Sequence, residues 1–270
     1  MYPFLHIGHF SIGTFGLCLW LAAVCACWVL HKNFQRYGIE GDALSVVAYV
    51  TVIGVIGAKL WHVLQDPSLL MHDPLGTLLD RAGFAWFGGL VGGILVLLWQ
   101  GRQAGIGGLG MLDLASPAAA VGYGVGRIGC LVSGDGDYGK ATNLPWGMSF
   151  PNGLVPTTAR VHPTPIYELL VALIIAWYLW FRGRPRVAAS VPAALPTGWI
   201  TGEYLILSGV ARFLVEFIRI NPPVYWGMSN AQVASLGSML AGILLLFWAR
   251  RRVPESAGKR TPRAVSAAGS

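Results

Sequence analysis

Seven apolar stretches of roughly 18–24 residues constrain this chain more than any other feature of its sequence. A helix of about 20 predominantly apolar residues is long enough to cross the hydrocarbon core of a bilayer. The sequence therefore predicts an all-α polytopic membrane protein with seven transmembrane helices. These helices are expected near Ser11–Leu30, Ala43–Leu64, Gly83–Gln100, Met111–Leu131, Pro165–Phe181, Gly198–Phe217 and Met228–Ala249.

The composition excludes most other architectures. Only 11% of the 270 residues are charged, against about 25% in a typical soluble domain, while 54% are hydrophobic. Three of the four cysteines fall inside the first apolar stretch, so neither a disulfide framework nor a zinc site is expected. That stretch has no basic segment before it and no small-residue cleavage site after it. It is therefore predicted to be a retained helix rather than a signal peptide.

Basic residues are distributed unequally between the two sets of loops that seven spans would create. Twelve of the 19 lie in one set, including Arg36, Arg102, Arg182 and Arg186. The other set holds four: Arg81, Lys140, Arg160 and Arg219. Because basic loops remain in the cytoplasm, we expect the N-terminus outside and the C-terminus inside. The net charge of +7 is interpreted as a topology signal rather than as a nucleic-acid-binding surface.

Two segments outside the spans differ from them in composition. Residues 133–164 are polar, with scattered Gly and Pro, and loops of this length usually carry function or are disordered. We interpret them as a compact lid or small head on the outer face of a membrane domain formed by residues 1–252. Residues 253–270 are rich in Ala, Ser and basic residues, which predicts a disordered cytoplasmic tail able to touch anionic lipid.

An arginine at the outer end of the fourth stretch is the strongest chemical signal. Ionisable residues inside spans are costly, so they indicate function by default. Arg127 is followed by the acidic, Gly-rich segment Gly134-Asp135-Gly136-Asp137-Tyr138-Gly139. A guanidinium group can bind a phosphate through paired hydrogen bonds, and Gly-rich backbone can approach a headgroup closely. The alternative is a structural ion pair between Arg127 and Asp135 or Asp137.

Other ionisable residues lie near the predicted membrane boundary. Arg212 and Glu216 are four residues apart, so they share a helix face and can pair, either structurally or within a site. His162 precedes a turn marked by prolines and is either a proton carrier or an exposed loop histidine. For Glu168, in the first turn of the next helix, the helix dipole alone explains a carboxylate. Lys59, inside the second stretch, either snorkels or contacts a headgroup.

Four short motifs in this chain resemble those of the prolipoprotein diacylglyceryl transferase family. Their order, their spacing and the seven spans match the family from roughly Ile7 to Arg252. The motifs are Ala82-Gly83-Phe84-Ala85-Trp86-Phe87-Gly88-Gly89-Leu90, Gly126-Arg127-Ile128-Gly129 through Asp137-Tyr138-Gly139, His162-Pro163-Thr164-Pro165-Ile166-Tyr167-Glu168, and Arg212-Phe213-Leu214-Val215-Glu216-Phe217.

The resemblance implies both a fold and a reaction. The fold is seven transmembrane helices with a small periplasmic head, in the inner membrane of a bacterium. The reaction moves the diacylglyceryl group of phosphatidylglycerol to the lipobox cysteine thiol of a prolipoprotein, forming a thioether and releasing glycerol 1-phosphate. The expected partners are therefore phosphatidylglycerol, the prolipoprotein lipobox peptide and the lipid bilayer, with no nucleic acid and no metal or organic cofactor.

The resemblance also implies site residues. Arg127 and Gly139 match the family signature, while Arg212 and Glu216 match its paired residues. Arg127, Arg212 and Glu216 are therefore predicted to be catalytic, with the two arginines stabilising the leaving phosphate and Glu216 orienting Arg212. The predicted substrate-binding residues are Arg127, Gly139, Asp137, Tyr138, Lys59 and His162.

Departures from the family pattern keep other functions open. A family histidine immediately before the Gly-Gly pair of the third stretch is Phe87 here, and two family tyrosines align with Phe15 and Ser208. These polar losses leave two alternatives. One is a related phospholipid-dependent transferase with another acceptor, and the other is a non-catalytic membrane protein that binds lipid or lipoprotein precursors.

These departures most affect the question of which group accepts the proton of the thiol. Phenylalanine carries no proton, so any base that the family histidine supplies must come from elsewhere. Tyr138, His162 or water beside Asp137 are the candidates that the sequence offers. Alternatively, nearby arginines lower the thiol pKa enough for the proton to leave to bulk water.

Overall fold

The structure of the protein is a computed structural model that describes residues 2–68, 73–80, 83–184 and 197–251. Helices account for most of the described length. The predicted cytoplasmic tail at 253–270 and the loop cations Arg81 and Arg186 lie outside the described residues.

The predicted spans correspond to the long helices of the described chain. Their bounds lie within three residues of the apolar stretches, except that α1 continues seven residues past Leu30. Apolar side chains and helix-forming residues run through each helix. The helices are α1 Thr14–Tyr37, α2 Ala43–Gln65, the short α3 Pro74–Leu79, α4 Trp86–Gln103, α5 Gly108–Ser133, α6 Thr164–Arg182, α7 Trp199–Val215 and α8 Asn230–Arg251.

Four of the described helices, α1, α2, α6 and α8, are long and apolar enough to cross a membrane. The coarse prediction of a mostly helical membrane protein is thereby confirmed. The other three long helices are shorter or more polar. In α5, for example, Asp113 is buried and Arg127 is largely buried. Polar side chains that face the protein interior lower the apolar character of a helix without exposing charge to lipid.

The first helix begins three residues later than predicted, and the sixth, α7, ends two residues earlier than predicted. Ser11 belongs to a strand, because residues 4–13 form an antiparallel hairpin of β1 (Phe4–Ile7) and β2 (Phe10–Gly13), and α1 begins at Thr14. Helix α7, which corresponds to the sixth predicted span, ends at Val215 and is followed by a 3-10 turn over Glu216–Ile218. The hairpin lies at the C-terminal end of α5, since Tyr2 N donates to Val132 O at 3.1 Å.

The segment predicted as a head contains a second small antiparallel sheet. Strand β3 (Met148–Phe150) pairs with β4 (Thr157–Val161). Its centre is apolar, because the buried rings of Tyr138 and Phe150 stack with their centroids 5.2 Å apart. An isolated bridge between Gly139 and Arg219 joins the head to the segment after α7. The head is thus tied to the ends of the helices that carry the predicted site.

Helix α5 is the central element of the bundle, packing against α1, α4, α6 and α7. The largest buried core joins Leu30 and Phe34 of α1 to Met111 and Leu114 of α5. Helices α2 and α4 cross so closely that a Cβ on Gly88 would lie 2.1 Å from Gly57 O. Small residues permit this type of backbone approach between membrane helices.

Side chains at the end of the bundle where α1 and α6 terminate hold the helices in register along their axes. Arg36 donates to Trp180 O at 2.8 Å and to Gly183 O at 3.0 Å, which joins the ends of α1 and α6. Asp113 accepts from the backbone N–H groups of Gly198 at 2.7 Å and of Thr201 at 2.8 Å. These contacts satisfy helix-end groups that a helix alone leaves unpaired. They set how far α6 and α7 extend toward the site.

Candidate functional site

Six charged side chains meet where α5 and α7 end and α6 begins. The three helices and the head segment each contribute, so residues far apart in sequence become neighbours. Three of the side chains are guanidinium groups and three are carboxylates, which makes the cluster neutral overall. The cluster consists of Arg127, Asp137, Glu168, Arg212, Glu216 and Arg219.

Glu168 lies at the centre of this cluster. Its Oε1 accepts from Arg212 Nη1 at 3.0 Å and from Tyr123 Oη at 2.7 Å. Its Oε2 lies 3.5 Å from Arg127 Nε and 3.4 Å from Arg219 Nη1. One carboxylate, whose side chain is 5% exposed, therefore contacts all three arginines. A buried charge of this kind is tolerated only because it is paired and hydrogen-bonded.

Asp137 connects the head segment to two of the arginines. One carboxylate oxygen pairs with Arg127 Nη1 and the other with Arg219 Nη2. Burial alone would raise the pKa of Asp137, but the guanidinium groups of Arg219 and Arg127 lower the pKa below its ordinary value. Asp137 is therefore a carboxylate at neutral pH. With 31% of its side chain exposed, it is also the most accessible member of the cluster.

Glu216 pairs with Arg212, as the four-residue spacing predicted, at 3.0 Å between Oε2 and Nη2. This is an ionic contact whose angles do not meet hydrogen-bond geometry. The other carboxylate oxygen of Glu216, Oε1, accepts from Asn221 Nδ2 at 2.6 Å and from Ser229 Oγ at 2.7 Å. Glu216 therefore holds Arg212 on one side and both ends of the α7–α8 connection on the other.

Two of the predicted substrate-binding residues, Gly139 and His162, lie next to the cluster, since Gly139 forms a backbone bridge with Arg219. Gly139 N donates to His162 O at 2.8 Å, so this N–H group is directed at the protein rather than at a ligand. A Cβ on Gly139 would lie 2.5 Å from Ile218 O, which explains why the position requires glycine. His162 Nδ1 lies 3.2 Å from Tyr167 Oη, which also accepts from Trp146 Nε1.

Tyr138 and Lys59 lie apart from these contacts. The Tyr138 hydroxyl donates to Val155 O at 3.2 Å inside the head, which directs it away from the arginines. Lys59 donates to Asp80 O at 3.0 Å, and its Nζ lies 4.8 Å from the centroid of the Phe84 ring. The Lys59 contacts thus belong to the segment between α3 and α4, not to the six-charge cluster.

Phe87 occupies an aromatic corner near that segment. The residue is 43% exposed, and its ring lies 5.3 Å from Trp86 and 6.5 Å from Trp61, measured between centroids. His62 packs directly against Gly83, since a Cβ on that glycine would lie 2.6 Å from the imidazole. An imidazole from α2 therefore lies beside the segment that precedes α4.

Glu168, Arg219 and Tyr123 complete the site but were absent from the predicted site residues. Glu168 was attributed to the helix dipole alone, and Arg219 was counted as a loop cation. The available signals were the position of Glu168 in a family motif and the three-residue spacing of Arg219 from Glu216. Tyr123 is one helical turn before Arg127, whose Cζ lies 4.7 Å from its ring centroid.

One group of side chains within the described residues has the spacing of a metal site. Ligand atoms of Cys130, Asp135 and Asp137 lie within 4.8 Å of one another. Both Asp137 oxygens are engaged by guanidinium groups, and Arg127 Nη1 also lies 3.6 Å from Cys130 Sγ. Positive charge therefore occupies the place where a cation would bind, so these residues do not fit a metal ion.

Comparison with known proteins gives one consistent result over nearly the whole chain. A family model described as prolipoprotein diacylglyceryl transferase matches residues 3–248. A protein of Vibrio atlanticus named phosphatidylglycerol–prolipoprotein diacylglyceryl transferase is 28% identical over 260 residues, covering 92% of this chain and 90% of its own. A protein of the same name from Clostridium tetani is 32% identical over 239 residues, covering 87% and 92%.

Proposed function

Because the chain belongs to the prolipoprotein diacylglyceryl transferase family, we propose that it modifies prolipoproteins with a lipid group. The lipobox cysteine thiol attacks the glyceryl carbon of phosphatidylglycerol that bears the phosphate ester. A carbon–sulfur bond forms, the carbon–oxygen bond breaks, and glycerol 1-phosphate leaves. The observation that supports this chemistry in the structure is the cluster of three arginines held by three carboxylates.

The leaving phosphate gains charge as the carbon–oxygen bond breaks, and we assign its stabilisation to Arg127 and Arg212. Their side chains are 16% and 26% exposed, so both are accessible from the site while remaining mostly shielded from water. Fixed donors in a water-poor site stabilise developing charge more strongly than mobile solvent does. Glu168 and Glu216 each lie 3.0 Å from Arg212, and Glu168 also lies 3.5 Å from Arg127. These carboxylates hold the two arginines in place.

The attacking thiol must become a thiolate, since the thiolate is the nucleophile. The same guanidinium groups favour the anionic form and lower the pKa of a thiol that binds beside them. Tyr138 is not placed to accept the proton, because its hydroxyl is bonded inside the head. Asp137 is a weak base, because the pKa of its carboxyl is lowered by two arginines. His162 Nδ1 already lies in hydrogen-bond contact with the Tyr167 hydroxyl at 3.2 Å. We therefore propose that the proton leaves to water.

Arrangement in the membrane follows from which helix ends carry the cluster. We propose that all seven long helices cross the inner membrane of a bacterium, with the cluster and head at the periplasmic end. The N-terminal hairpin lies at this end through Tyr2 and Val132, while Arg36 and Gly183 meet at the opposite end. That opposite end has the basic excess, which supports a cytoplasmic position for it.

We retain Gly139, His162 and Lys59 as proposed substrate-binding residues with different roles. Gly139 and His162 lie beside the arginines, where we propose that the acceptor peptide approaches. Lys59 contacts Asp80 and Phe84 in the segment that precedes α4, and we propose that it attracts the anionic headgroup of phosphatidylglycerol as the lipid enters.

The decisive experiment is transfer from labelled phosphatidylglycerol to a synthetic lipobox peptide by purified protein in liposomes. Label should join the peptide, and a Cys→Ser peptide should remain unlabelled. Arg127→Ala should reduce transfer by about 1,000-fold or more, because a fixed donor to the leaving phosphate is lost. Normal transfer by a correctly inserted Arg127→Ala protein would contradict the assigned role.

A changed acceptor is the second candidate function, and Phe87 is the observation that favours it. An exposed phenyl ring stands where the family has a group able to carry a proton. Phe87→His should raise transfer to a lipobox peptide by about tenfold or more if that group acts as a base. If the wild type is inactive and this variant is also inactive, another acceptor should be sought with the same labelled lipid.

A further inference from the structure

The carboxylate of Asp137 bridges two guanidinium groups in the way that a phosphate would. One of its oxygens pairs with Arg127 and the other with Arg219. Two non-bridging oxygens of a phosphodiester can take the same two positions. We propose that Arg219 is a further phosphate ligand and that Asp137 holds the phosphate position until phosphatidylglycerol displaces its side chain. This inference rests on the function proposed above.

Asp137 is the carboxylate in the cluster best suited to move. Its side chain is 31% exposed, against 5% for Glu168 and 1% for Glu216. Its backbone is fixed, because the Asp137 carbonyl oxygen accepts from Thr164 Oγ1 and, at 3.2 Å, from Arg219 Nη1. Displacement therefore requires rotation of one side chain and no movement of the head segment.

The two arginines stay in place when Asp137 leaves. Arg219 is 5% exposed and is held by Glu168 at 3.4 Å and by Glu216 at 3.7 Å. Arg127 Nε lies 3.5 Å from Glu168. One Nη group of each arginine would then face the vacated position from a fixed direction. A preformed pair of donors binds an anion without a further ordering cost.

Charge balance also favours exchange. With Asp137 in place, three guanidinium groups face three carboxylates. When its side chain rotates into solvent, one buried positive charge lacks a partner, which is costly in a low-dielectric site. The single negative charge of a phosphodiester restores neutrality. When glycerol 1-phosphate departs, Asp137 pairs again with the arginines and prevents immediate rebinding.

Glycerol 1-phosphate binding to the purified full-length protein, measured by calorimetry in detergent, tests the inference without requiring catalysis. Asp137→Asn should bind this probe about fivefold to tenfold more tightly, because a competing charged hydrogen-bonding partner is removed. Asp135→Asn is the matched control, since it removes the same charge two residues away and should change affinity by less than about twofold. In transfer assays, Asp137→Asn should lower KM without raising kcat.

Arg219→Lys tests the second half of the inference. Lysine keeps the charge but lacks the planar fork, so glycerol 1-phosphate should bind about fivefold more weakly. Unchanged or weaker binding by Asp137→Asn, an equal effect of Asp135→Asn, or unchanged binding by Arg219→Lys would each overturn the inference. Absence of transfer by the wild type would instead refute the proposed function, and the two failures are therefore distinguishable.

Discussion

The charged cluster illustrates which individual residues a sequence can identify. Arg127, Arg212 and Glu216 stand out because charge inside an apolar stretch needs a reason. Glu168 is just as central in space, but its three arginine partners lie 41 to 51 positions away in the sequence. No local pattern reports such contacts, and the helix dipole was a sufficient local explanation. Partners that depend on packing must be read from the structure.

Glu168→Gln is predicted to impair the enzyme severely. The amide preserves the size of the side chain but leaves three guanidinium groups with two carboxylates. Losing one partner of a buried ionic group costs about 3 kcal/mol or more, so transfer should fall by about 100-fold. The matched variant is Glu203→Gln, whose carboxylate accepts from Trp199 Nε1 at 2.7 Å near the other end of α7. Similar losses in both variants would refute a specific role for Glu168.

Glu216→Gln is predicted to have a weaker effect on transfer than Glu168→Gln. Glu216 contacts Arg212 at 3.0 Å and Arg219 at 3.7 Å, but Glu168 still holds these two arginines, at 3.0 Å and 3.4 Å respectively. Activity should fall by about tenfold, as Arg212 becomes less well oriented. The same labelled-lipid assay measures this effect, and an unchanged rate would make the pair purely structural.

At the scale of helices and strands, apolar length and helix-end residues were sufficient to predict the long helices. The two hairpins were not predicted, because their strands are only three to five residues long and depend on pairing across the chain. The close crossing of α2 and α4 was also not predicted from the sequence. Glycine in an apolar helix permits such a crossing, but sequence alone does not identify the partner.

The crossing of α2 and α4 leads to a prediction about stability. Gly88→Ala would place a Cβ 2.1 Å from Gly57 O and 2.5 Å from Trp61 Cβ, so the helices must separate. Overpacking of this type costs about 1–3 kcal/mol, and the melting temperature in detergent should fall. Gly93→Ala, on the same helix, meets only Val50 Cγ1 at 3.5 Å and should be tolerated. Equal melting temperatures would contradict the close packing.

At the scale of the whole molecule, the helix ends divide consistently into two groups. The N-terminal hairpin, the head and the arginine cluster lie at one end, while the Arg36–Gly183 and Asp113–Thr201 contacts lie at the other. If the seven long helices alternate across the membrane as proposed, the basic residues at the second end favour an N-terminus outside. The sequence predicted this orientation from charge alone, whereas the structure adds that the site is assembled at a single end.

Cysteine labelling in intact cells would test this orientation directly. The four native cysteines, Cys18, Cys25, Cys27 and Cys130, would first be replaced by alanine or serine. Single cysteines would then be introduced at Asn143 in the head and at Gln103 at the end of α4, both of which are exposed. A membrane-impermeant maleimide should label Asn143→Cys in intact cells but Gln103→Cys only after permeabilisation. The reverse pattern would place the arginine cluster at the cytoplasmic face, where a lipobox cysteine near the outer leaflet could not reach it.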